Sequence, residues 1–191
     1  MNNTVLNNTS ASNQAVSTSW TVDKAHSRVE FSAKHMIIAT VRGHFNNYDL
    51  KVTTNGDNFE AADVEVRIDT ASIDTGMPDR DNHLRSDDFF NAEEFREIVF
   101  KSTSIKKIDN ESYKLYGDLT IRDITKPIEL DVEFGGIVVD PWGNTRAGFN
   151  VKGSVDRFEY GLKWNALIET GGAVVGKTIK LSADIELVKQ K

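Results

Sequence analysis

The sequence predicts an all-β protein, an extended eight-stranded antiparallel β-barrel of lipocalin-like type with a short helical segment near residues 80–94. Three observations carry this. In Ile128-Glu129-Leu130-Asp131-Val132-Glu133-Phe134 apolar and acidic residues alternate with a period of two, which a strand with one buried face explains. The same alternation recurs along most of the chain. Between the alternating runs stand turn-forming clusters, Asn55-Gly56-Asp57-Asn58, Asp109-Asn110 and Asp140-Pro141-Trp142-Gly143-Asn144, so consecutive strands are mostly antiparallel.

The elements follow in order. Met1 to Ser19 contains no charged side chain and is mostly Asn, Ser, Thr and Ala; this composition supplies no core and predicts a disordered tail, with the folded domain at residues 20–191. Val29/Phe31/Ala33 begin the alternation. In Val41 to Thr53 the apolar phase changes, from Val41 and Phe45 to Tyr48, Leu50 and Val52, which places a bulge near Asn46-Asn47. Val64/Val66/Ile68, the 98–108 segment, Tyr113/Leu115/Leu119/Ile121, Phe149/Val151/Val155 and Ile179/Leu181/Ala183/Ile185/Leu187 bring the total to roughly eight or nine strands. One stretch breaks the period. The charged segment Ser72 to Asp88, ending in Phe89-Phe90, is far longer than a turn needs, and Leu84 with Phe89, Phe90 and Phe95 suits a short helix.

Long strands with one apolar face must hide it in a sandwich or a barrel. No second set of helices is available to cover a sheet, which favours the barrel. Its inward phase is nearly uncharged and mixes large side chains with Gly117, Ala147, Gly153 and Ala183. That mixture fits an apolar cavity and equally fits side chains packed to the taper of a filled barrel.

Composition removes several function classes. A chain of 191 residues suits one domain with a single core. It has no cysteine, so stability comes from packing and neither compartment is excluded. With 23 basic and 29 acidic residues the net charge is −6, a general field that repels nucleic acid and anionic lipid surfaces. No apolar run is long enough for an integral membrane helix. The first nineteen residues lack the basic start and apolar run of a secretory signal.

Several ordered motifs resemble one family. Trp20-Thr21-Val22-Asp23-Lys24-Ala25-His26-Ser27, Phe31-Ser32-Ala33-Lys34-His35 and Val41-Arg42-Gly43-His44-Phe45 open the series. Ser72-Ile73-Asp74-Thr75-Gly76, Arg80 to Phe90 and Gly117-Asp118-Leu119-Thr120-Ile121 continue it, and Gly161-Leu162 and Val175-Gly176 close it. In this order they resemble the YceI-like family, from Trp20 to about Val188. Arg96 stands where the family usually has Pro, and Asp123 where it has Gly. The resemblance implies a lipocalin-like barrel that binds a polyisoprenoid, such as a prenyl quinone or polyprenyl phosphate, or a fatty-acid-like lipid, in its lumen for transport or storage. It also implies a periplasmic tendency; the N-terminus as it stands fits either a cytoplasmic protein or one whose signal has been removed. The bound lipid is the only ligand expected, with no further cofactor and no metal, and the chain is open to homodimer formation.

Strand phase and apolar bulk nominate Phe31, Phe45, Leu119, Leu130, Phe134, Phe149 and Phe158 as lumen residues, joined by Phe89, Phe90 and Trp164. Each could equally be core packing. At the mouth His35, Arg42, Asp81, His83 and Arg85 are candidates, with Arg42, Arg80 and Arg85 able to meet a phosphate. Asp79, Asp81 and His83 hold ingredients of acid–base chemistry, which keeps an enzyme acting on an isoprenoid through Asp81 and His83 as one alternative. No nucleophile motif or phosphate loop accompanies them, and capping of the short helix explains them better. His26, His35 and His44 recur at intervals of nine residues, which puts them in different strands or turns as structural or mouth-lining groups, with metal ligation the lesser reading. A structural or partner-binding barrel without ligand is the other alternative.

Overall fold

The computed structural model describes residues 17–166 and 174–191. The strands are β1 (Ser17–Val22), β2 (Arg28–His35), β3 (Ala39–Phe45), β4 (Tyr48–Asn55), β5 (Asn58–Asp69) and β6 (Ile73–Asp74), followed by helix α1 (Pro78–Arg85). Then come β7 (Glu97–Lys107), β8 (Ser112–Ile121), β9 (Ile124–Val139), β10 (Thr145–Asp156) and β11 (Val175–Lys189). Every ladder is antiparallel, and β1 pairs with both β4 and β11, which closes β1, β4, β5, β7, β8, β9, β10 and β11 into a ring. The eight-stranded barrel expected from the alternation is therefore present. Ser17 to Ser19 pair with Asn55 to Thr53, so strand pairing is present up to three residues before the expected domain start; the remainder of the expected tail, 1–16, lies outside the described residues.

The eleven segments behave as eight long staves, three of them broken. β1 and β2 run along the same edge of β11, with Val22 opposite Leu187 and Arg28 opposite Asp184. The break between them is held by Asp23, which accepts hydrogen bonds from the Ala25 amide and His26 Nδ1. β3 and β4 form the second broken stave; at Asn46-Asn47, where the phase change suggested a bulge, the strand is interrupted instead. There the Asn46 amide donates to Ser72 O and the Asp69 amide to Asn47 O. β5 and β6 form the third, separated by a 3-10 turn at Thr70–Ser72 that Asp69 caps through the Ala71 amide.

These breaks make the two ends unlike. At one end β1 seals the ring between β4 and β11. At the other β2, β3 and β6 continue beyond it, and the chain leaves the sheet after β6 to form α1. The helix begins at Pro78, whose fixed φ and missing N–H suit a first helical position. It ends at Arg85, nine residues short of the expected limit, because the following backbone turns: the Phe90 amide donates to Leu84 O and the Ala92 amide to Arg85 O, with Asn91 at φ 47°. Asp81 Oδ1 accepts from the Thr75 amide at 2.9 Å and the Thr75 hydroxyl at 2.5 Å. Arg85 donates to Ala71 O and Ile73 O. The dense charge of the segment thus fastens a long connection to the barrel rim.

The core divides along the barrel axis. Near the sealed end Trp20 is fully buried and its Nε1 donates to Thr54 Oγ1 at 2.9 Å. Trp20, Phe59, Phe149 and Phe134 form a chain of ring contacts with centroids 5.0–5.2 Å apart. This aromatic plug closes the lumen from below. Higher up, inward glycines let large neighbours lie flat: a Cβ on Gly153 would stand 2.4 Å from Leu130 Cδ2, and one on Gly43 2.5 Å from Phe31 Cζ. The alternation of small and large residues therefore serves packing between strands, and a cavity remains above it.

Candidate functional site: an apolar lumen below a charged rim

A cavity of about 560 Å³ occupies the barrel from its middle to the α1 end. Its wall comes from inward positions of the strands, among them Val29, Phe31, Phe100, Leu119, Leu130 and Leu181. A second void of about 80 Å³ lies towards the plug. Leu50, Val64, Leu115, Val151 and Ile185 border both spaces and form a partition between them.

Glu30, Lys152 and Ser182 border the cavity lower down, while at the open end it is bordered by Lys34, His35, Asp79, Arg80 and His83. Two segments roof the lumen there. One is α1 with Phe89 and Phe90; Phe90 meets Phe45 edge-on at 6.3 Å, and Phe45 meets Phe31 at 5.5 Å. The other follows β10 and carries Trp164. His83, Phe89 and Trp164 form a ring cluster with centroid separations of 4.7–5.3 Å that joins the two segments.

The second segment is organised by Arg157, which is 2% exposed. Its guanidinium donates to Gly176 O at 3.1 Å, Trp164 O at 2.8 Å and Val175 O at 3.2 Å, and also to Leu162 O. Burial lowers its pKa, and Asp156 partly opposes that. One cation thereby ties two stretches of backbone, 162–164 and 175–176, to the end of β10 beside the cavity. Tyr160 lies fully buried nearby in sequence, and burial pushes its phenol up to about 12, with Glu159 adding to the shift.

Of the lumen residues expected from sequence, Phe31, Phe45, Phe89, Phe90, Leu119, Leu130 and Trp164 line the cavity. Three do not. Phe149 borders the small lower void, and Phe134 packs against Phe149, Phe59 and Tyr113 below it. Both point inward as their phase requires, but phase states the face of a strand and not its height in the barrel. Phe158 lies beyond the end of β10 in a 3-10 turn, 38% exposed, with Arg157 stacked 4.4 Å from its ring.

The mouth residues divide too. His35 and His83 line the cavity. Arg42 is exposed on the outer face of β3, because Val41, Gly43 and Phe45 hold the inward phase. Asp81 and Arg85 are committed to Thr75, Ala71 and Ile73, as described above. His83 Nε2 instead bonds Asp88 at 2.8 Å. Asp81 and His83 thus face different partners and do not converge on a common point. Phe100, Leu181 and Val29 were legible as lumen residues from their inward phase; Arg157 was not, since nothing in the sequence distinguishes it from a surface arginine.

The one imidazole–carboxylate cluster with metal-like spacing among the described residues is Asp23, His26 and Glu186. It lies outside the barrel near the sealed end, and Arg146 already bonds both carboxylates as well as Asp140. The Arg146 guanidinium holds Asp23 down at about 2, His26 contributing. Burial raises the Asp140 pKa, yet Arg146, Asn144 and two backbone amides outweigh it and leave the carboxyl well below its usual range. His44, the last of the three evenly spaced histidines, bonds Asn46 and approaches Arg28.

A closed antiparallel barrel with one sealed end, an apolar lumen and a roofed, polar-rimmed opening is the architecture of a small-ligand-binding barrel. Residues 20–187 match the YceI-like domain model, and the chain belongs to the YceI-like family. A UPF0312 protein of Staphylococcus aureus is 38% identical over 170 residues, which span 88% of this chain and 96% of that one. The crystal structure of the Campylobacter jejuni YceI protein superposes with a TM-score of 0.73 at 31% identity, covering 83% of this chain and 90% of that chain. A polyisoprenoid binding domain from Saccharophagus degradans shares the fold at TM-score 0.66 and 14% identity, covering 90% of this chain and 98% of that chain. Among the described residues no helix is long and apolar enough to cross a membrane.

Proposed function

We propose that this barrel binds a long apolar amphiphile, a polyisoprenoid such as a prenyl quinone or polyprenyl phosphate or a fatty-acid-like lipid, and carries or stores it. The observation that carries this reading is the apolar cavity of about 560 Å³ beneath a polar rim, a volume within the range of specific small-molecule sites. The tail would lie between Phe31, Phe100, Leu119 and Leu181, with the head group at His35, Arg80 and His83.

Magnitudes favour a tail-driven mechanism. Five carbons per isoprene unit, at about 0.8 kcal/mol for each buried methylene-sized group, contribute roughly 4 kcal/mol gross. Association and tail ordering cost on the order of 4–15 kcal/mol, so several units must enter for useful affinity. An exposed ion pair at the rim contributes about 0–1 kcal/mol and selects among head groups. Binding is favoured over turnover because Asp81 and His83 are separately engaged. Native mass spectrometry after mild purification should reveal a lipid-sized adduct, or uptake of an added prenol. A protein that carries no adduct and takes up neither prenol nor prenyl quinone would overturn the reading.

A further inference from the structure

The hairpin joining β2 to β3 ends in two exposed isoleucines, Ile37 at 73% and Ile38 at 85% relative exposure. Met36 and Ile37 both sit in the left-handed region, at φ 46° and 68°. A β-branched residue is a genuine outlier there, and such strain persists where the surroundings impose it, commonly at functional sites. The tip adjoins the cavity opening, since His35, Val41 and Val174 line the cavity and the Met36 amide donates to Val174 O.

The sheet around the tip is basic although the whole chain is acidic. Across β2 one outward row reads Arg42, Ser32, Lys180, with Lys34 one step nearer the tip. All three cations are exposed, and among the described residues no carboxylate pairs with them. Asp156, opposite Thr178, is the carboxylate of this face that lies near the tip, and Lys177 pairs with it; Glu30 and Asp184 lie further away beside Arg28.

We infer that the β2–β3 hairpin docks the opening of the barrel onto an anionic lipid bilayer, Ile37 and Ile38 entering the interface while Lys34, Arg42 and Lys180 meet the head groups. Apolar side chains projecting from a basic collar are the chemistry that such a surface recognises. A second exposed apolar group, Val138, Val139 and Trp142, crowns the β9–β10 turn at the sealed end. There one cation, Arg146, is taken up by three carboxylates, Asp140, Asp23 and Glu186, and the group is remote from the opening. The inference takes its purpose from the proposed lumen ligand, because a tail leaving a bilayer must enter at the docked end.

Co-sedimentation with phosphatidylcholine vesicles, with and without phosphatidylglycerol, tests it. The full chain should bind the anionic vesicles, lose binding as salt rises, and bind pure phosphatidylcholine far less. The double variant Ile37→Ser/Ile38→Ser should bind about tenfold or more weakly, and Trp142→Ser should bind like the parent. Absence of binding by the parent, equal binding by the hairpin variant, or equal loss in Trp142→Ser overturns the inference. Uptake of a prenol delivered from ethanol, without vesicles, reports the lumen separately. Normal uptake without sedimentation defeats the docking and spares the lumen, while sedimentation without uptake does the reverse.

Discussion

The ring of Phe100 lies over Gly117 of the neighbouring strand, so that a Cβ on residue 117 would stand 2.4 Å from Phe100 Cζ and 2.5 Å from the Lys101 carbonyl oxygen. The ring can rotate but the carbonyl belongs to the ladder. Gly117→Ala should therefore destabilise the barrel by about 1–3 kcal/mol through overpacking, read as a lower urea midpoint. Adding Phe100→Leu should recover only part of the loss, because the clash with the carbonyl stays. An unchanged midpoint in Gly117→Ala would show that the close approach is not needed.

Leu115 stands in the partition between the large cavity and the small lower void. Leu115→Ala should join the two spaces at a stability cost of about 2–5 kcal/mol. Given lumen binding, it should also raise the preference for longer prenyl tails over shorter ones in competition followed by native mass spectrometry. Equal ranking of tail lengths in parent and variant would mean that the lower void is not reached.

Asp81 is 6% exposed and holds both the amide and the hydroxyl of Thr75. Asp81→Ala leaves those donors without a partner and should cost about 1–3 kcal/mol. Asp81→Asn keeps one acceptor oxygen and should cost less. If hydrogen exchange at the Thr75 amide were equally slow in the parent and in Asp81→Ala, the anchoring role would be wrong.

Acid stability should depend on Arg146. Asp23 titrates at about 2 in the folded protein against its ordinary 3.8, so its contribution is fully present above about pH 4 and is lost as pH falls towards 2. Asp140 is shifted in the same direction. Arg146→Met should lower the Tm at neutral pH and flatten the decline in Tm between pH 4 and pH 2. A parallel acid limb in parent and variant would remove the cluster from the account.

Trp164 lines the cavity, Trp20 is sealed in the plug, and Trp142 is 81% exposed on the outside. A tail entering the lumen should change the emission of Trp164 alone. The change should disappear in Trp164→Phe and survive in Trp142→Phe. The opposite pattern would place the ligand at the far end.

Much of this was legible along the chain. The alternation in Ile128 to Phe134 states which side chains face inward, and the phase change after Phe45 marks the break between β3 and β4. Phe31, Leu119 and Leu130 followed from the same reading. It erred where local order gives no coordinate: Phe134 and Phe149 share the inward face with Leu130 and Val151 but lie lower, inside the plug. Arg42 and Arg85 carry the charge expected of a rim, yet one faces outward by strand parity and the other is spent on the carbonyls of Ala71 and Ile73.

Sequence alone determined the all-β class and the inward faces, because strand periodicity and turn chemistry act between near neighbours, and its ordered motifs carried the resemblance to the family. Only the tertiary structure decided where the lumen is empty and which end opens. Those depend on the register between strands and on which distant groups meet: Phe59 with Trp20, Arg157 with Val175, and the strained Ile37 beside a collar of lysine and arginine drawn from three strands.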